Sequence, residues 1–361
     1  MGEIRNRIIT ISGEPVSGKS TVVKILKEKY EKLGYNVHII STGHIFREVI
    51  TKEYLKMYPD RVNANLADIQ TDESFAQKRN EVDHMIDAEM AKKGQEINSQ
   101  ERPNDVYIID SRLAWKNIPD SFAIRLTIDE NIAGQRAFAD ETRGAEDRYE
   151  TVEDAINKTR QRKLGEIERY KKRYGVDLTD HENYRLLVNT SYSNTEELAD
   201  IIIKGETCYR IGKYFPKHWK SPALFLPTQN LRETISRSPF GGNTMEDIAQ
   251  SIREIGYDYT EPVIVNEVND ITLLQNGHHR CIGAIAAGKT LVPYEPLPNP
   301  NNKYTEQSIY SQVRLSDIYD WEEMIRWESK QGNIESLQEF DVTKLSFMRK
   351  YLEWLQSRDE R

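Results

Sequence analysis

The chain has 361 residues, of which 38% are hydrophobic and 30% charged, with a formal net charge of −8. That length exceeds what one compact core usually holds, so two units are expected in a water-soluble globular protein. The longest apolar stretches, such as Ile8–Ile11 and Val37–Ile40, are too short to span a bilayer. The acidic balance lowers the expectation of a dedicated nucleic-acid binder, without excluding a local basic groove.

In chain order, the first element is an apolar, β-branched run, Ile8-Ile9-Thr10-Ile11-Ser12. A Gly-containing turn follows, then a helical pattern in which Val22, Val23, Ile25 and Leu26 are interspersed with lysines. Further strand-like runs are Val37–Ile40, Val106–Ile109, Ala123–Ile128 and Arg185–Asn189, separated by helix-type segments rich in Glu, Lys and Ala. Strands alternating with helices imply an α/β unit with a parallel sheet covered on both faces. Its last helix is expected over Thr195–Lys204. Between Thr207 and Ala223 the composition shifts to Tyr, Trp, Pro and Lys, which marks a boundary between units 1–205 and 221–300. Pro296, Pro298 and Pro300 end the second unit, and residues 301–361 read as a helical C-terminal extension. Cys208 and Cys281 are the only cysteines and lack metal-site spacing. Together with an N-terminus unlike a signal peptide, they suggest a reducing cytoplasm.

Gly13-Glu14-Pro15-Val16-Ser17-Gly18-Lys19-Ser20 is a complete G-x-x-x-x-G-K-S octet between an expected strand and an expected helix. Glycines at both ends let the backbone curl so that its N–H groups face an anion, and the helix N-terminus adds its dipole. Lys19 would then reach the β- and γ-phosphates of ATP. Ser20 would ligate Mg²⁺, with Asp110 at the end of the Val106–Ile109 strand as the second metal ligand. Gly13, Ser17, Gly18 and Thr21 complete the expected ATP contacts. The plain alternatives are an accidental glycine-rich turn for the octet and a solvated strand-end carboxylate for Asp110.

Four stretches carry a resemblance to cytidylate kinases, above all the short archaeal type. They are Ile9–Gly13 leading into the octet, Ser41-Thr42-Gly43-His44-Ile45-Phe46-Arg47-Glu48, and Ile109-Asp110-Ser111-Arg112-Leu113-Ala114-Trp115. The fourth runs from Arg160-Gln161-Arg162 through Glu168-Arg169-Tyr170 to Tyr174–Asp177, with Val188–Ser191 after it. The resemblance implies a P-loop nucleoside-monophosphate kinase using ATP and Mg²⁺. Arg47 and Arg112 would bind the acceptor phosphate, where a planar guanidinium can grip two oxygens. Lys19, Arg112, Arg160 and Arg162 would stabilise the transferring group, the last two, with Arg169, from a mobile lid. A solvated helix face, paired through Glu166 and Glu168, is the other reading of that segment. Asp83 and Asp87 would either read an amino-pyrimidine edge or face water. Ser111, His44 and the polar Gln95–Asn104 stretch depart from the family pattern and bear on the acceptor's identity.

The second unit, from Phe225–Arg232 through Gly277-His278-His279-Arg280 to Val292-Pro293, resembles the ParB/sulfiredoxin-like fold. In that superfamily a Gly-x-x-Arg element binds nucleotide phosphates, which implies a second phosphate site at Gly277, His278, His279 and Arg280. His278 stands where sulfiredoxins carry a reactive cysteine, so that repair activity is not expected. The Gly-His-His-Arg form is closer to members that phosphorylate free serine or serve in modification and defence. A structural role, with the histidines capping a helix, is the alternative. The leading expectation is ATP- and Mg²⁺-dependent phosphoryl transfer to CMP or dCMP. Transfer to a hydroxyl on a serine-like metabolite or a modified DNA base, or a nucleotide-responsive switch that associates with nucleic acid, are the others. No membrane partner is expected, and the oligomeric state is left open.

Overall fold

The structure, a computed structural model, describes residues 6–61, 69, 72–140, 149–229, 244–269, 271–300 and 303–359. Within these, the side chains of residues 44–47, 76, 79, 80, 83, 87 and 359 lie outside the description.

Strand β1 (Arg7–Gly13) is buried along nearly all its length, as expected for a central parallel strand with helices on both faces. It pairs in parallel with β3 (Asp105–Asp110) and β4 (Phe122–Thr127), matching Ile9 to Ile108 and Ile11 to Ile124. β2 (Asn36–Ser41) and β5 (Leu186–Asn189) extend the sheet outward, also in parallel. Alternate side chains feed two cores. Ile9 and Ile11 meet Val22 and Leu26 of helix α1 (Lys19–Lys32) and Leu198 and Ile202 of the later helix over 195–210. Ile8 and Ile109 face Ile50 of α2 (Thr42–Met57) and Val82 and Met90 of α3 (Ala76–Asn98) on the opposite side. The helices α4 (Ala114–Asn117), α5 (Glu130–Ala139), α6 (Val152–Tyr174) and α7 (Thr195–Arg210) complete this layer arrangement.

The sheet continues through the stretch where the composition changes. β6 (His218–Lys220) adds in parallel to β5, placing Trp219 opposite Val188. Beyond it come β10 (Val292–Pro296), β8 (Val263–Val268), β9 (Ile271–Asn276) and β7 (Phe225–Pro227), giving one ten-stranded sheet. Only Ser221–Leu224 links β6 to β7, yet three strands lie between them in the sheet. Four inter-strand spacings in a flat sheet total about 19 Å. The linker reaches roughly 17 Å when fully extended, and part of it is a helical turn. These five strands therefore curl toward one another. Lys220 crosses the curl to bond Glu267 on β8 at 2.8 Å and Thr272 on β9 at 2.5 Å.

α8 (Met245–Ile255) and α9 (His278–Ala286) pack with the C-terminal helices α10 (Glu306–Tyr310), α11 (Leu315–Gln331), α12 (Glu335–Gln338) and α13 (Ser346–Asp359). Their core also takes in Ile128, Ile132 and Ala133 from the N-terminal unit, beside Phe225, Ile285, Ile325 and Leu337. No described helix is long and apolar enough to cross a membrane.

Candidate phosphate-transfer site

The loop between β1 and α1 is shaped by three local constraints. A Cβ at Gly13 would stand 2.7 Å from Ser17 Oγ, so any side chain there would push the Ser17 hydroxyl aside. Gly18 has φ +77°, a left-handed conformation that disfavours side chains, and Val16 adopts φ +65°. Among the described residues no side chain caps the N-terminus of α1, which leaves its first N–H groups directed at the loop's concavity. Ser17 Oγ is buried and finds no hydrogen-bond partner among the described residues. An unclaimed cap and an orphaned hydroxyl packed against Gly13 suit a phosphate chain.

A cavity of about 860 Å³ opens over this loop, with Ser20 and Thr21 on its wall. Lys19 Nζ forms an ion pair with Asp110 at the end of β3, joining the loop lysine to the expected strand-end carboxylate. Burial lowers the Lys19 pKa, a trend that Asp110 opposes. Arg112 also lines the cavity, its Nη1 donating to the Gly13 carbonyl. Its Nε and Nη2 grip Glu166 of α6 at 3.0 and 3.1 Å.

Helix α6 lies across the site, and its periodicity sorts the expected lid cations. Arg162, Glu166 and Arg169 recur at helical spacing and line the cavity. Arg160 points elsewhere, bonding Glu130 at 2.7 Å and lining a separate cavity of about 320 Å³. Of the other expected acceptor contacts, the side chains of Arg47, Asp83 and Asp87 lie outside the described residues.

Two site residues escaped the sequence reading. Glu14, an acid inside the octet, is buried and pairs with Arg125 and with Lys163 of α6, each at 3.2 Å. The signal was present, since an acid is odd in a loop built to meet anions. Arg136 of α5 also lines the cavity and donates to the Thr190 and Ser191 carbonyls at 2.9 and 2.7 Å. Nothing local in the sequence marks it.

Gly277 begins α9 with φ +106°, and a Cβ there would meet Val263 Cγ1 at 2.6 Å. His278 is 3% exposed, and its Nε2 accepts from Thr228 N–H at 3.2 Å. Burial pushes its pKa down to about 4, which keeps the ring neutral near pH 7. Arg280 Nη1 donates to the Pro262 carbonyl at 2.9 Å and to that of Glu261, tying down the approach to β8. His279 is half-buried on the same turn.

Residues 8–192, which hold the octet, Asp110, Arg112 and the whole of α6, match the cytidylate kinase-like family. The chain belongs to that family. A cytidylate kinase of Methanocella arvoryzae is 32% identical over 197 residues, covering 55% of this chain and 95% of its own. That of Sulfolobus acidocaldarius is 32% identical over 199 residues, 54% of this chain and 91% of its own. An S-adenosylmethionine-dependent nucleotide dehydratase of Lacinutrix mariniflava is 28% identical over 199 residues, 54% of this chain but 35% of its own. In that relative, as here, the matched stretch is part of a longer chain. This family member is a P-loop kinase, and the matched segment ends just after β5, before the sheet curls.

Proposed function

We propose that this kinase transfers the terminal phosphoryl group of ATP to a pyrimidine nucleoside monophosphate of the CMP or dCMP kind. The carrying observation is one cavity shared by the phosphate loop, Lys19, Arg112 and two arginines of α6. Moving a phosphoryl group between anions asks for cations that neutralise and align them, and for little covalent chemistry from the protein. The loop N–H groups and Lys19 would grip the donor phosphates. Arg112, with Arg162 and Arg169, would hold the acceptor phosphate and the group in flight. Arg47, Asp83 and Asp87 belong to the proposal as acceptor contacts, on the family resemblance.

Among the described residues no cluster of three or more acids, histidines or cysteines could hold a metal alone. The residues present suit a cation that arrives with the nucleotide, met by the Ser20 hydroxyl and the Asp110 carboxylate. Mg²⁺ bound there neutralises phosphate charge. Asp110 would then trade its ion pair with Lys19 for a metal contact and free the ammonium for phosphate. Pyrimidine preference is supported by the relatives that bear the name cytidylate kinase.

For Gly277–Arg280 the contacts favour a structural role over a second phosphate site: His278 is buried against Thr228, and Arg280 is engaged by two backbone carbonyls. An Arg280→Ala variant that loses binding of a nucleotide at a second stoichiometric site would reverse that preference.

The test is a transfer screen with labelled ATP and Mg²⁺ against CMP, dCMP, UMP, AMP, free serine and hydroxymethylated DNA, with Lys19→Ala as the blank. Transfer to CMP or dCMP is expected. It should fall at least ~100-fold in Lys19→Ala, because a preorganised cation at the developing charge is lost. Transfer confined to serine or DNA would move the acceptor to a hydroxyl, and hydrolysis alone would favour the switch.

A further inference from the structure

Helices α8 and α11 both pack on α9 and leave a cleft between them of about 630 Å³. Its floor is apolar, formed by Met245, Ile282, Ala286 and Met324, and Trp327 stands at its side 59% exposed. Its rim is acidic, with Glu246, Asp320, Glu323 and Glu328. The rim's nearby cation, Arg253, is already engaged by Glu246 at 2.6 Å and by the Ala286 carbonyl at 2.9 Å. Asp320, Glu323 and Glu328 form no ion pair with any described residue. An exposed Trp327 beside the half-buried Met245, bordered by Asp320 and Glu323 without an ion pair among the described residues, forms the kind of patch that marks an interaction site.

We infer that the α8–α11 cleft docks a basic amphipathic helix of a partner protein. Two roughly co-facing helices with an apolar floor accept a third helix through anchors at i, i+3 or i+4 and i+7. Trp327 and the methionines offer the large, adaptable contacts that such anchors fill. The rim selects the sign of charge: Lys and Arg flanking the apolar stripe meet the carboxylates, whereas phosphates of nucleic acid or acidic lipid are repelled. Burial beside Glu246 already holds the Glu328 pKa up near 7, so a cation brought to it gains from relieving that repulsion.

The experiment measures anisotropy of a labelled Leu/Lys amphipathic peptide of about 18 residues, five helical turns, titrated with the full chain at physiological salt. A Leu/Glu peptide with the same apolar face is the control. One-to-one binding of the Lys peptide alone is expected, weakened tenfold or more by Trp327→Ala and separately by Glu323→Lys. Both positions are exposed, so melting temperature and phosphoryl transfer should not change. Equal binding of the two peptides, or variants that bind as the parent does, would overturn the proposal. So would binding that appears only when residues 230–243 are replaced by a Gly-Ser linker, which makes the chain's own segment the occupant. A dimer seen by light scattering and lost in Trp327→Ala would assign the cleft to a second copy instead.

Discussion

Glu166 holds the guanidinium of Arg112 through two nearly parallel hydrogen bonds, the geometry a phosphate would use. An acceptor phosphate bound by Arg112, as proposed, would compete with Glu166 for one fork. Glu166→Gln removes the competing charge with little change of shape. It should lower the KM for the acceptor several-fold, with kcat read separately; a KM that stays or rises would remove the latch. A second residue-scale expectation concerns acid. Burial pushes both His218 and His278 from 6.5 down to about 4. The unfolded chain takes up these protons near pH 6.5, while the fold resists them until about 4. Stability is therefore full above 6.5 and falls through that window, by on the order of 3 kcal/mol per histidine. Glu328, raised to about 7, acts in the opposite sense over an overlapping range. The clean comparison is thus His278→Gln against the parent in urea at pH 7.5 and 5. The variant should lose less stability on acidification, and equal losses would show that folding does not hold the His278 pKa down.

At the scale of elements, one carboxylate joins the kinase unit to the last helix. Asp129 Oδ1 accepts from Asn131 and Ile132 N–H to cap α5, and its Oδ2 accepts from the N–H and hydroxyl of Ser346 at the start of α13. Each helix cap of this kind is worth ~1 kcal/mol. Asp129→Ala should therefore cost about 2 kcal/mol, and Asp129→Asn roughly half, because an amide keeps one accepting oxygen. Urea midpoints that fail to separate the two variants would mean that only one cap matters. The same scale sorts the cations expected of a lid. Helical periodicity puts Arg162, Glu166 and Arg169 toward the cavity, while Arg160 and Lys163 meet Glu130. A segment that reads as uniformly charged is in fact divided by face.

Across the whole molecule, Ile128, Ile132 and Ala133 of the kinase unit are buried in the same core as Phe225, Trp321 and Leu337. A fragment ending after Arg210 would retain the octet, Asp110, Arg112 and α6, but it would expose those apolar residues and the β5 edge. It should keep phosphoryl transfer while melting earlier and associating through the uncovered face. A fragment as stable and monomeric as the full chain would show that the units are energetically separate.

Much of this architecture was legible in the residues alone. The five strands of the kinase unit read clearly because parallel strands buried on both faces are continuous β-branched runs, as in Ile8–Ser12 and Val106–Ile109. The phosphate loop was equally plain, since its glycines, Lys19 and Ser20 act through adjacent backbone within eight residues. β6 was not, because His218-Trp219-Lys220 is three residues long and acquires its strand character from β5 and β10 on either side. Nor were the roles of Glu14 and Arg136, or the long-range pairing of Glu166 with Arg112, whose partners lie 54 to 149 residues away. Local chemistry thus determined that this chain has a phosphate loop on a parallel sheet. Long-range packing alone decided which carboxylate restrains each cation, and how a second set of strands curls onto the first.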